Sequence, residues 1–338
     1  MRTRSPSEAI PFCLISLALA SSVAIAAELP PEAKTRSNIN MVLELHTYLM
    51  THSKSPEGGP AEYRDSINAY REARGMVEDH AVWQLVYDAC VEGPDIAAIR
   101  KLADTPPARL APADRQAAAK VLGALAGAWP RFEASDLNHT RIDLQKIWVD
   151  VIRSIFENTL QPRVMPTVYE KMNFKPLDAP VTVYPVLGSG DVGAWGKTSQ
   201  GYYLILPSAG LGRLTIVETL VHELTHLLDV NQPLGSNSFL KQLRARGAAD
   251  PARAETLVHG LIAWNAGELI KRNVKKDHKT VLDLSASMRS QVAEFLPGYE
   301  GTWAGYLDGR LTAEQALAAL AAMIGGGAGA KPKSGAQG

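Results

Sequence analysis

TIVETLVHELTHLL, residues 215–228, is the stretch that decides how this chain is read. His222 and His226 are four apart, so on an α-helix their imidazoles leave one face a single turn from each other. Leu214, Ile216, Val217, Leu220, Val221, Leu224, Leu227 and Leu228 leave such a helix almost no polar side, which predicts burial. Thr215 followed by Glu218 is a capping-box pattern, placing the helix start near Thr215 and the histidines in its second and third turns. Histidines in a buried helix need partners, because an unpaired polar group is costly there. A shared metal ion supplies one, and Glu223 then stands where a general base acting on a water molecule is needed.

Outward from this helix the texture is that of a small sheet. Val181–Val186 and Tyr202–Leu206 read as β-branched or aromatic strands, and a loop from Pro207 to Gly212 leads into the helix. Between the strands, Gly188-Ser189-Gly190-Asp191-Val192-Gly193 has the spacing of a dinucleotide fingerprint. That fingerprint needs a helix to start on the glycines. Here Trp195–Gly201 continues as turn-rich loop, so a hairpin connection or a rim loop is the better reading. Downstream, Asp250-Pro251 opens another helix that runs to about Arg272. A last helix spans Thr312 to Met323, with Gln315 as the capping-box partner of Thr312.

Upstream, Asn38 to Asn173 is mostly helical in pattern. Helices are expected from about Met41 to Leu49, Glu78 to Val91, Asp95 to Leu102, Pro112 to Trp129 and Ile142 to Leu160. Trp83, Trp129 and Trp148 belong to their cores. The fold class is therefore mainly α with a small β-sheet, of the α+β kind. The expected organisation is a signal peptide (1–26), a helical N-terminal region (27–174), a catalytic region (175–324) and a disordered Gly/Ala/Lys-rich tail (325–338).

The strand, loop, strand and H-E-x-x-H helix over residues 184–272 resemble the catalytic region of zincin metallopeptidases. The resemblance implies a zinc ion held by His222 and His226, Glu223 as general base, and a peptide or protein substrate. A metzincin would place a third histidine at position 232 and a glycine at 229, but these are Gln232 and Asp229. The thermolysin-like branch, the gluzincins, takes its third ligand from a separate downstream helix, and the helix after Pro251 offers two. Glu255 and His259 are i and i+4 and share a face. Glu255 follows the gluzincin pattern. His259, flanked by Leu257, Val258, Leu261 and Ile262, is expected to lie deeper and is taken as the third ligand, with Glu255 the alternative. Asp229 is a candidate acceptor for an imidazole N–H. Tyr202, Tyr203 and His259 are candidate donors to an oxyanion. The resemblance further implies that strand 202–206 is the edge strand along which an extended substrate lies. His46, His52, His80, His139 and His278 show no partner pattern.

The chain has 35 basic and 35 acidic residues, so its charge marks neither nucleic acid nor an anionic membrane as a partner. Arg2 and Arg4, the apolar run Phe12–Ile25 and Ala24-Ile25-Ala26 read as a cleaved secretory signal, which predicts a periplasmic or extracellular protein. Cys90 is then the lone cysteine, and the fold rests on an ordinary core rather than a disulfide. The competing reading is an inactive zincin-fold protein with a binding or envelope-structural role. A third is metal-dependent hydrolysis of a non-peptide amide. The sequence leaves the oligomeric state open.

Overall fold

The computed structural model describes residues 35–325 apart from 56–57, 78–79, 94, 189–193 and 209–210. The expected signal segment and the tail beyond Gly325 lie outside the described residues. After a two-residue strand come five helices: α1 (Met41–Lys54), α2 (Arg64–Met76), α3 (His80–Glu92), α4 (Ile96–Asp104) and α5 (Pro112–Glu133). The long α6 (Asp136–Ile155) runs through a π-helical stretch, Phe156–Val164, into α7 (Met165–Met172). The sheet contains β1 (Arg36–Ser37), β2 (Val181–Val186), β3 (Ala194–Thr198) and β4 (Gly201–Pro207). After it come α8 (Arg213–Val230), α9 (Phe239–Arg246) and α10 (Pro251–Asn273), several short helical turns, and a C-terminal helix, Ala313–Gly325. The chain is mainly helical with a small four-stranded sheet. Among the described residues no helix is long and apolar enough to cross a membrane.

The strand order is β1-β2-β4-β3, with β1, β2 and β4 parallel and β3 antiparallel to β4. Strand 202–206 is therefore interior and not the edge. A two-residue turn at Ser199-Gln200 folds β3 back onto its free side, leaving β3 as the outer strand. Gly201 closes the turn with φ +128°, and a Cβ there would stand 2.7 Å from the Pro180 carbonyl, so glycine is required. The next described element after the glycine-rich segment is β3.

Alternation along β4 divides the molecule into two cores. Tyr203 and Ile205 face the apolar cluster built by α1–α5, with Leu43, Tyr70, Val86, Leu122 and Phe132. Tyr202, Leu204 and Leu206 face the cluster built around α8 and α10. The cores do not divide at residue 174. Ile152 to Met172, from α6, the π-helical stretch and α7, pack with α8 and α10, and the described residues form one compact unit. Glu44 of α1, fully buried, fastens the two halves. It accepts from Arg141, from Gln145 Nε2 at 2.7 Å and from the Leu187 amide at 2.9 Å. A carboxylate buried at this depth requires such compensation.

Candidate metal centre

Helix α8 begins at Arg213, with Gly212 as N-cap and no side-chain cap. The expected Thr215/Glu218 capping box does not form. Thr215 already lies inside the helix, and Glu218 is buried and engaged elsewhere. His278 Nε2 lies 2.7 Å from Glu218 Oε2, and the Val281 amide donates to Oε1 at 2.9 Å. Burial raises the Glu218 carboxyl, while the Val281 and His278 contacts oppose that rise. Glu218 thus ties the front of α8 to the loop following α10.

One turn further on, His222 and His226 project from the same face, their Nε2 atoms 3.1 Å apart. His259 joins them from α10, with ring centroids 5.3 Å from His222 and 4.9 Å from His226. One ligand atom from each of the three lies within 4.8 Å of the others. Nitrogen donors about 2.0–2.1 Å from a tetrahedral zinc stand roughly 3.3 Å apart, a separation that the His222–His226 pair at 3.1 Å matches, while the full set lies within 4.8 Å. Burial disfavours the charged form of all three rings. Burial pushes His222 well below its ordinary pKa, with His226 and His259 adding to the effect. Burial, with His259 and Arg244 nearby, lowers His226 to about 3, and burial lowers His259 against the opposing pull of Glu255. Glu223, beside His222, is buried, and desolvation pushes its carboxyl up to about 7, the range suited to a general base near neutrality.

His259 does not lie deep in α10. Its apolar neighbours Leu257, Val258, Leu261 and Ile262 turn into the core, and His259 points to the exposed side, as does Glu255. The Glu255 carboxylate is held by Arg244 of α9, through Nε at 2.7 Å and Nη2 at 3.2 Å, and that contact lowers its pKa. Asp229 is buried at the back of α8. It takes Arg244 Nη1 and, at 3.4 Å, the Ser238 hydroxyl. Burial raises its carboxyl against the opposing Arg244 charge.

The two tyrosine hydroxyls are committed away from this centre. Tyr202 donates to Asp178 Oδ1 at 2.6 Å and receives Lys197 Nζ at 3.2 Å. Tyr203 lies on the opposite face of the sheet and donates to Asp88 Oδ1 at 2.5 Å, with Gln84 Nε2 2.7 Å away. Gln84 also reaches the Trp195 carbonyl on β3 at 3.2 Å. Of the remaining histidines, His46 is buried against Tyr70, His139 is exposed, and His278 pairs with Glu218.

Arg244, Glu218 and His278 are the members of this region that sequence reasoning missed. Asp229 ends an apolar helix, where a carboxylate that becomes buried needs a cation, and Lys241, Arg244 and Arg246 are the first ones after it. That signal was present, although it does not choose among the three. In comparisons with known proteins, no family model matches the chain, and neither a curated protein nor a solved structure matches it.

Proposed function

We propose that this chain is an exported, zinc-dependent peptidase, in which His222, His226 and His259 hold the ion and Glu223 is the general base. The observation that carries the reading is the convergence of three imidazoles from two helices, with the buried Glu223 adjacent to His222 in the chain. The donor set fits: all nitrogen, uncharged, and open to solvent on the His259 side. When bound, zinc supplies Lewis acidity, polarising a carbonyl and lowering the pKa of water. Glu223 takes the proton from the attacking water and delivers it to the leaving nitrogen. The buried surroundings that raise its pKa strengthen its basicity for the first transfer and suit it to the second. The substrate class proposed is a peptide or protein, with the outer strand β3 as the place for an extended backbone. The third ligand departs from the gluzincin pattern in being a histidine rather than a glutamate. The export assignment rests on residues 1–26 of the sequence alone.

A second reading, a metal-holding binding protein without turnover, is favoured by one observation. The hydroxyls of Tyr202 and Tyr203 are both engaged elsewhere, so neither is free to stabilise an oxyanion. Elemental analysis of the purified protein with a peptide-library digest separates the two. Zinc with cleavage supports the peptidase, zinc without cleavage supports the binding protein, and release of ammonia or an amine from non-peptide amides alone marks a different hydrolase.

A further inference from the structure

We infer that Arg244 is a positioning residue for the metal centre, locking the two ligand-bearing helices in register through a single guanidinium. The inference rests on the reading of His222, His226 and His259 as ligands.

The placement is specific. Asp229 is three residues beyond His226 on α8, and Glu255 is four residues before His259 on α10, so each carboxylate stands about one helical turn from a ligand. Arg244 comes from a third helix, α9, and donates to both: Nη1 to Asp229, Nε and Nη2 to Glu255. The two arms differ in kind. The Asp229 side chain is 2% exposed, so its pairing with Arg244 is compulsory and anchors the guanidinium. The Glu255 side chain is 58% exposed, and an ordinary surface pair of that sort contributes little. Here the arginine is already fixed by Asp229, so the forked contact to Glu255 loses less freedom on forming and transmits position from α8 to α10.

The opposite end of the same helix pair is fastened independently. Glu218, four residues before His222, is bound by His278 and the Val281 amide. Gly267, eight residues beyond His259, lets α10 approach so closely that a Cβ there would stand 3.0 Å from Glu218 Oε1. The three imidazoles therefore lie between two fastenings. The Glu218 end is packed and buried. The Arg244 end is the open one, where His259 faces solvent, and there the guanidinium is the tie from α9 to both carboxylates. Sub-ångström ligand placement depends on such outer contacts.

The test uses the full mature chain, cobalt(II) as a spectroscopic substitute for zinc, and wild type beside Arg244→Lys, Arg244→Met, Glu255→Gln and the Arg244→Met/Glu255→Gln double variant. Glu255→Gln removes the exposed arm and also removes Glu255 as a rival ligand. The cobalt Kd, the visible spectrum of the bound ion and the metal-free Tm are measured for each. The double variant is expected to bind cobalt roughly 10- to 100-fold more weakly, the range typical for loss of a group that orients metal ligands. Glu255→Gln is expected to weaken binding severalfold with little change in metal-free Tm. Arg244→Lys, which keeps a cation for Asp229 but cannot fork, should fall between wild type and the double variant. A folded double variant with wild-type Kd and spectrum overturns the inference, as does a Kd that changes only in step with the loss of Tm. If the double variant does not fold, an unchanged Kd in Glu255→Gln overturns it. A wild-type protein that binds neither cobalt nor zinc overturns the metal reading itself. If the wild type binds metal and the variants match it, only the role of Arg244 falls.

Discussion

Glu223 and His46 are both buried titratable residues, and burial acts on them in opposite senses. For Glu223, adjacent to His222 in the chain, desolvation raises the carboxyl to about 7. Removing its charge while keeping its shape separates metal binding from proton transfer. Glu223→Gln is expected to retain zinc at wild-type stoichiometry and to lose hydrolysis by about 100-fold or more, the usual contribution of a general base. Zinc content and initial rates on one cleaved peptide check this, and an equally active variant removes Glu223 from the mechanism. His46 lies in the other core, among Tyr70, Trp83 and Tyr87, with Nδ1 2.9 Å from the Tyr70 hydroxyl and Nε2 without a partner. Burial lowers its pKa from 6.5 to about 3. Between these values the unfolded chain binds a proton that the folded chain refuses. The stability due to neutral His46 is complete above about pH 6.5 and declines as pH falls toward 3. At about 1.4 kcal/mol per pH unit the window is worth on the order of 5 kcal/mol. Denaturant unfolding from pH 7 to pH 4 should show a steeper loss in wild type than in His46→Gln, and equal slopes would dismiss the effect.

Among the elements, those with a strong local signal were legible in the sequence. Val181–Val186 matches the expected strand, Asp250 caps α10 by accepting from the Arg253 amide, and Thr312 and Gln315 form their reciprocal cap. β3 was not legible, because Ala194-Trp195-Gly196-Lys197-Thr198 has neither alternation nor a β-branched run. Its pairing comes from the neighbouring strand. Helix α2 was missed because it is polar overall and buries only Ile67, Tyr70 and Ala73. At the candidate metal site the H-E-x-x-H pair is local and readable, whereas Arg244 joins two carboxylates far apart in the chain and is fixed by tertiary packing. Packing also governs how α10 responds to substitution. Helix propensity alone favours alanine over glycine by up to about 1 kcal/mol. At Gly267 a Cβ would stand 2.5 Å from Thr280 Cγ2 and would press on the Glu218 contact, an overpacking cost of roughly 1–3 kcal/mol. Gly267→Ala is therefore expected to lower Tm by several degrees. Gly127→Ala on the exposed side of α5, where nothing lies within 4 Å, should raise it slightly. Thermal melts of the two variants, side by side, check the cost of crowding Thr280 and Glu218.

At the scale of the molecule, two helical cores lie against opposite faces of one small sheet, and the candidate ligands come from two helices of the same core. Because His259 belongs to α10 while His222 and His226 belong to α8, a bound ion would cross-link elements separated along the chain by α9. An ion that binds the folded chain and not the unfolded one stabilises the whole cooperative unit, by about 2.7 kcal/mol at a free concentration one hundred times Kd. Tm should consequently rise with zinc and fall on chelation, reversibly and without cleavage of any substrate. His259→Ala leaves the two α8 histidines as a weak intrahelical pair and is expected to lose most of the zinc-dependent shift, while its metal-free Tm stays near wild type because the side chain is exposed. Glu255→Gln should keep most of the shift. If the two outcomes are exchanged, so that His259→Ala responds to zinc fully and Glu255→Gln does not, then the glutamate is the third ligand and its pairing with Arg244 must open when the ion binds.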